Sequence, residues 1–388
     1  MKKILFSLLI MLLINNLATS QSCLPNGITF FRQADIDYFQ VNYPGCTQIL
    51  GNVTIDDNYS YTITNLNGLN VLTAIEGNLT IINNPLTNLN GLEGLKYIKG
   101  NVYMVYNTFQ NLAGLNNLKY IGGDLQLESN SSLTSLNGLN ELDSIGGSLL
   151  FYYNALGDLT GLEALHFVGG ELFFYATDNL TSLAGLDHLD SVGTCLTIRY
   201  ANHLASIANL VGLKSIGAGC IEINSTALTT LAGLENINGN LIKYLKIIDN
   251  DSLSMCAIKS ICDYLSIPYA WGDFDGNSTG CNSNAEVKSA CGIGINEITI
   301  LDNFLISPNP FSKQTTIEFH LKKQTQVNID VFNSLGEKIA TISDETFASG
   351  THHLNWNPSD IPVGIYLCRI STNSIFPQVI GKILVINN

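Results

Sequence analysis

The residues best suited to chemistry in this 388-residue chain are few and dispersed. Its histidines, His166, His188, His203, His320, His352 and His353, show no zinc-ligand spacing. His352 and His353 are adjacent in an alternating apolar stretch, so their side chains face opposite ways. Asp273-Phe274-Asp275-Gly276-Asn277 opens like a calcium loop. An EF-hand needs glycine at its sixth position and glutamate at its twelfth, and Ser278 and Asn284 stand there. The run therefore reads as a polar turn. There is neither a nucleophile elbow of the Gly-x-Ser-x-Gly type nor a phosphate loop. No metal, cofactor or catalytic residue is expected, and the chain is not expected to be an enzyme.

Carboxylates arrayed on a parallel sheet can cleave polysaccharides, and the outward columns of the strands show whether any stack here. Glu128 falls between Val105 and Tyr152 in its column, and Glu171 between Ser148 and Cys195. No acidic pair stacks to act as acid and base. The columns carry an apolar group instead: Tyr103, Val105, Leu150, Tyr152, Phe173 and Tyr175, with Glu128 and Arg199 at its margins. A patch on the order of several hundred Å² exceeds what a soluble surface usually leaves open. Aromatic rings offer contact area at low entropic cost to a protein or to the face of a sugar. These six residues with Arg199 are the candidate ligand-binding set.

Such columns exist only if the chain stacks in register, and an internal repeat makes it do so. In 133–151, Leu133, Leu136, Leu139, Leu142 and Ile145 recur every third residue, and a glycine pair and the short run Leu149-Leu150-Phe151 follow. Strand starts at Val53, Leu79, Val102, Leu125, Leu149, Leu172, Leu196, Ile221 and Leu245 are spaced by 23 to 26 residues. A period of three suits neither an amphipathic helix nor an alternating strand. It suits a coil that turns a corner every few residues, and stacked coils share one core. The Leu-x-Gly-Leu corners predict a positive φ or a close backbone approach at glycine. Asn58, Asn84, Asn107, Asn130, Asn154 and Asn250 predict an asparagine ladder that pairs turn backbone left open by the sheet.

The fold class is mainly β: a right-handed parallel β-helix or solenoid of about nine rungs with capped ends, followed by an immunoglobulin-like β-sandwich. Residues 1–20 read as a signal peptide, with Lys2-Lys3, an apolar run and an Ala18-Thr19-Ser20 cleavage site. Residues 21–50 form an N-terminal cap with helical spacing over Gln33–Tyr43. The solenoid spans 51–250, a cysteine-rich C-terminal cap 251–292 with a helix over Ser254–Ser266, and a linker 293–302. From 303 to 388 the period becomes two, in about seven short strands. No segment reads as transmembrane, and a formal charge of -14 argues against nucleic acid as a partner.

Cysteines in an exported chain favour disulfides. Cys23 and Cys46 flank the first cap and are expected to pair. Cys195 and Cys220 precede consecutive strands, and a bridge is the preferred reading over a metal or redox pair. Cys256, Cys262, Cys281 and Cys291 allow three pairings, of which Cys256–Cys281 with Cys262–Cys291 is preferred.

Runs such as Leu92-Glu93-Gly94-Leu95-Lys96-Tyr97-Ile98-Lys99-Gly100-Asn101-Val102 resemble the receptor L domain, the leucine-rich ligand-binding solenoid of growth-factor-type receptors, over roughly 50–250. Gly280–Cys291 is similar to the closing segment of its bacterial relatives. The C-terminal region resembles the sorting domain of type IX secretion cargo. The carrying motifs are Ile306-Ser307-Pro308-Asn309-Pro310-Phe311, Val331–Ile339 with Gly336, Leu354-Asn355-Trp356-Asn357, Gly364-Ile365-Tyr366 and Gly381-Lys382-Ile383-Leu384-Val385. That resemblance implies Pro308, Asn309, Pro310, Gly336, Gly364, Tyr366 and Lys382 as the sorting signal. It also implies the secretion machinery and a sortase-like peptidase as partners, possible lipopolysaccharide attachment, and a secreted or outer-surface location. Together the two resemblances imply a surface binding protein for a protein or glycan. The alternatives are a structural or adhesive envelope spacer and, behind it, a polysaccharide-active enzyme.

Overall fold

The structure is a computed structural model that describes residues 21–58, 60, 62–293, 301–358, 361–372 and 379–385. The signal-peptide segment 1–20 and most of the linker, 294–300, lie outside the described residues. The chain divides into two compact units, 1–294 and 295–388.

In the first unit a middle turn of the coil, such as Leu149–Tyr152 with Ser144–Ile145, contributes one four-residue strand and one two-residue strand. Alternation sets the long strands: in Leu149–Tyr152 the residues are buried and half-buried in turn, and in Leu172–Tyr175 likewise. The long strands pair in parallel with unbroken register, Leu149↔Leu172 through Tyr152↔Tyr175. Among the described residues they form an eleven-stranded sheet. Nine of these strands begin at, or one residue before, the starts expected from the repeat. Ile28–Phe30 and Asp273–Asp275 add one at each end, drawn from the cap segments. The Asp273 run is thus a closing strand rather than a polar turn. A second parallel sheet, nine-stranded, is built of short pieces such as Tyr97–Ile98 and Tyr120–Ile121.

The three-residue ladder lies between the sheets, where Leu133, Leu136, Leu142 and Ile145 are fully buried. Phe151 and Phe174 stack at 5.1 Å in adjacent rungs. The corner glycine satisfies both expectations. At Gly138, φ is +115°, and an added Cβ would collide with the Leu112 carbonyl of the previous rung. At Ile207-Ala208-Asn209-Leu210, where asparagine stands in place of the corner glycine, the chain takes a 3-10 turn over Ala208–Gly212.

The asparagine ladder is present with one correction. Asn130 accepts from the Asn107 backbone N–H (3.0 Å) and donates to the Met104 carbonyl (2.9 Å). Asn107 and Asn154 bridge in the same way to Ile81 and Leu127. Asn58 is not part of it. The first rung slips by a residue, so Asp57 is the buried group and accepts from the Thr62 N–H, while Asn58 takes φ of 46°. At the other end Asn277 extends the ladder by accepting from the Asn250 N–H at 3.1 Å.

The caps are more broken than expected. Gln33–Asp37 and Phe39–Asn42 are two short helices, and Lys259–Leu265 replaces the longer helix read over Ser254–Ser266. A second C-terminal helix, Asn284–Ala290, starts on Ser283, whose hydroxyl accepts from the Glu286 N–H. Disulfides join Cys23 to Cys46, Cys256 to Cys281 and Cys262 to Cys291.

Among the described residues, the second unit forms two antiparallel sheets. One orders Leu301–Ser307, Thr315–Leu321 and Gly350–Trp356; the other Lys338–Phe347, Thr325–Phe332, Gly364–Thr372 and Val379–Val385. Both sheets send side chains into one core, including Ile317, Phe319, Val327, Ile329 and Tyr366. At its edge Asp330, nearly buried, meets Lys338 (3.6 Å), Arg369 (3.1 Å) and the Thr341 hydroxyl (2.7 Å).

Candidate functional site

The outer face of the long-strand sheet carries the candidate residues. Register places Leu150 beside Phe173, Tyr152 beside Tyr175, and Tyr175 beside Arg199. The rings touch: Tyr152 lies 5.1 Å from Phe173 and 6.3 Å from Tyr175, and Phe173 and Tyr175 run parallel at 6.3 Å. All are half-buried, because each ring shields its neighbours.

Tyr103 and Val105 lie two rungs away from Leu150 and Tyr152. The intervening rung presents Gln126 and Glu128, whose side chains hydrogen-bond to each other at 2.6 Å. The Tyr103 hydroxyl is bound by the Asn101 amide at 2.6 Å. The expected single apolar patch is therefore a ring cluster over two rungs, with Tyr103 and Val105 set apart by a polar rung. Two residues that the sequence reading missed join the cluster. Tyr153 packs edge-on to Tyr175 at 5.6 Å, and Tyr200 does so at 5.4 Å. Both take positive φ, Tyr153 just after its strand and Tyr200 near the end of Cys195–Ala201, and so depart from the strand alternation.

Polar groups frame the rings. Arg199 makes a two-pronged bond to Glu222, through Nε at 2.9 Å and a terminal nitrogen at 2.6 Å. That bond, more than the opposing burial, raises the Arg199 pKa and fixes its guanidinium. The Thr197 hydroxyl donates to Glu171. The Tyr152 hydroxyl is pushed up first by burial, then by the charges of Glu171 and Glu128. The face thus offers apolar ring surfaces bordered by carboxylates with lone pairs to spare, chemistry suited to holding a ligand.

Cys195 and Cys220 lie on this same face as register partners, and both are free thiols, against the expected bridge. Side chains of in-register parallel neighbours run side by side at about 4.8 Å, wider than the ~3.8 Å Cβ separation of a disulfide. Burial and a hydrogen bond with Cys195 push the Cys220 thiol up to about 12. Among the described residues no three histidine, cysteine or acidic side chains gather as a metal site.

The residues expected to form the sorting signal are largely structural in place. Thr315 donates to the Pro308 carbonyl at 2.7 Å, and Phe311 packs on Trp356 at 5.8 Å. Gly336 takes φ of 83° in the turn closed by Asn333. The Tyr366 hydroxyl caps the Pro362 carbonyl at 2.8 Å. Lys382 pairs by its backbone with Leu367 beside Gly364–Thr372, and Asn309 lies in the loop between the prolines.

Among known families, the receptor L domain model matches residues 45–109, and the secretion system C-terminal sorting domain matches residues 305–386. No curated protein matches the chain. No described helix is long and apolar enough to cross a membrane. Residues 45–109 are thus similar to the receptor L domain and residues 305–386 to a secretion system C-terminal sorting domain, and the latter marks the protein for export to the cell surface or for secretion.

Proposed function

We propose that this cargo is a binding protein without catalytic activity, and that its solenoid captures a protein or glycan ligand on the face around Tyr152, Phe173 and Tyr175. One observation carries this reading: five aromatic rings joined through Tyr175 on one outer sheet face, bordered by Glu171 and the Arg199–Glu222 pair. The match to a ligand-binding domain family supports it. The coil is read as right-handed and the sorting domain as immunoglobulin-like. After export a sortase-like peptidase removes the sorting domain, leaving the solenoid attached to lipopolysaccharide or released.

The test is a glycan and surface-protein binding screen of the full chain against Tyr152→Ala/Tyr175→Ala, after both are shown to fold. Saturable binding that disappears in the double variant supports the site. Binding that survives moves the site to loops or caps. No binding to any probe favours a structural spacer. Mass analysis of the exported form tests removal of the sorting domain.

A further inference from the structure

In each middle rung the residue after the four alternating strand positions has positive φ: Tyr106 (56°), Ser129 (55°), Tyr153 (52°), Ala176 (51°) and Tyr200 (57°). Their backbone N–H groups reach the next rung in turn. Tyr106 donates to Glu128, Ser129 to Tyr152, Tyr153 to Tyr175 and Ala176 to Arg199, at 2.9 to 3.2 Å. The five thus make one row with one residue per rung. The left-handed region suits glycine and asparagine and strains a bulky side chain. Tyrosine nevertheless occupies every second position, and a small residue sits between.

The three rings are open to solvent, with Tyr106 and Tyr153 at 53% exposure and Tyr200 at 44%. Tyr175 stands edge-on to both Tyr153 and Tyr200, at 73° and 80°, and props the two outer rings from within the sheet. Two rungs span about 9.6 Å at ordinary strand spacing. An extended β-1,4-linked glycan turns alternate sugars over, so it presents the same sugar face once per disaccharide, at a repeat close to that distance. A protein surface offers such a repeat only where its own strands stack in register. Charge narrows the class further: Glu128 adjoins the row, and with Glu171 and Glu222 farther along the same face it outnumbers Arg199, a balance that repels an anionic polymer and offers acceptors to sugar hydroxyls.

We propose that Tyr106, Tyr153 and Tyr200 form a linear stacking platform for an uncharged β-1,4-linked glycan lying along the direction in which the rungs stack. This rests on the reading of the same face as a binding surface and names its ligand class.

The test is calorimetric titration of the full chain with cellohexaose and chitohexaose, beside a β-1,3-linked glucan hexamer and a hexagalacturonate. Tyr153→Asn and Tyr200→Asn remove single rings while placing at each corner a residue that favours positive φ, so the fold is kept. Tyr153→Ala/Ala176→Tyr keeps the number of rings and breaks their period. At least one β-1,4 hexamer is expected to bind at least tenfold more tightly than the β-1,3 and acidic hexamers. Each single variant should lose about tenfold, the effect of one interface anchor, and the shifted variant should lose as much. Absence of β-1,4 binding, equal affinity for the other hexamers, or affinity unchanged in the Asn variants overturns the proposal. If another ligand then binds and is lost in Tyr152→Ala/Tyr175→Ala, only the ligand class is wrong. If its binding survives that double variant, the face itself is not the site.

Discussion

Replacing Asn130 by alanine tests what holds the rungs together. Asn130 is fully buried, and its amide serves two rungs. Its oxygen accepts from the Asn107 N–H at 3.0 Å, its nitrogen donates to the Met104 carbonyl at 2.9 Å, and it also touches the Asn154 oxygen at 3.2 Å. Truncation strands one backbone donor and one backbone acceptor in the core. Each such group costs about 1–3 kcal/mol, so the loss should be about 4 kcal/mol. For a unit of this size that corresponds to a fall in Tm on the order of 10 °C. Chemical denaturation gives the free energy, and hydrogen exchange gives the location, since the Asn107 amide should lose protection. Asn117→Ala is the control. Asn117 binds a carbonyl of the neighbouring rung, Glu93, but at the exposed surface (2.8 Å), and should change stability by no more than about 0.5 kcal/mol. A loss under about 1 kcal/mol for Asn130→Ala, or an unchanged Asn107 amide, would refute the ladder as a source of stability.

Three further outcomes follow from the same structure. Gly138→Ala should destabilise the solenoid by more than about 2 kcal/mol in denaturant melts, because φ of +115° and the Leu112 carbonyl both oppose a Cβ, whereas Gly157→Ala, with open space around it, should be neutral or slightly stabilising. In non-reducing denaturant the chain should yield three titratable thiols, Cys195, Cys220 and Cys368; a count of one would restore the Cys195–Cys220 bridge. Burial would push Asp330 up, but Thr341, Arg369 and Lys338 outweigh it and hold the carboxyl below its ordinary value, so its stabilisation is present above the usual aspartate range and lost as pH falls through the lowered one. With Trp271→Phe leaving Trp356 as the reporter, acid unfolding of the sorting domain should show this slope, and Asp330→Asn should flatten it.

The solenoid was legible because a coil that turns every few residues needs an inward side chain every third position, and leucine supplies it without a break from Leu86 to Leu95 and from Leu133 to Leu142. The outer columns were legible for the same reason: once the strands are in register, Tyr152 must lie beside Tyr175. Three features were not legible. Two-residue strands such as Tyr97–Ile98 are too short to show alternation. The slip that puts Asp57 in the place expected for Asn58 sits in a first rung 26 residues long, where the extra length could have been absorbed at any corner. The cysteine pair was placed correctly in register, but parallel register itself sets the thiols side by side instead of end to end.

The strained corner explains why the ladder and the candidate site occupy the same stretch of the chain. Tyr106, Ser129 and Tyr153 each immediately precede a ladder asparagine, namely Asn107, Asn130 and Asn154. To bring the asparagine amide inward after an outward-facing strand residue, the chain must reverse its course at one position, and the left-handed turn does so. The buried amide then holds that turn from behind through bonds to the preceding rung, as Asn154 does to Leu127 at 2.7 Å. A tyrosine in such a turn projects into solvent with its backbone fixed on two sides. The core that makes the rod stiff therefore also sets the position of the exposed rings, so a loosened ladder at Asn154 should blur the presentation of Tyr153 before it unfolds the solenoid.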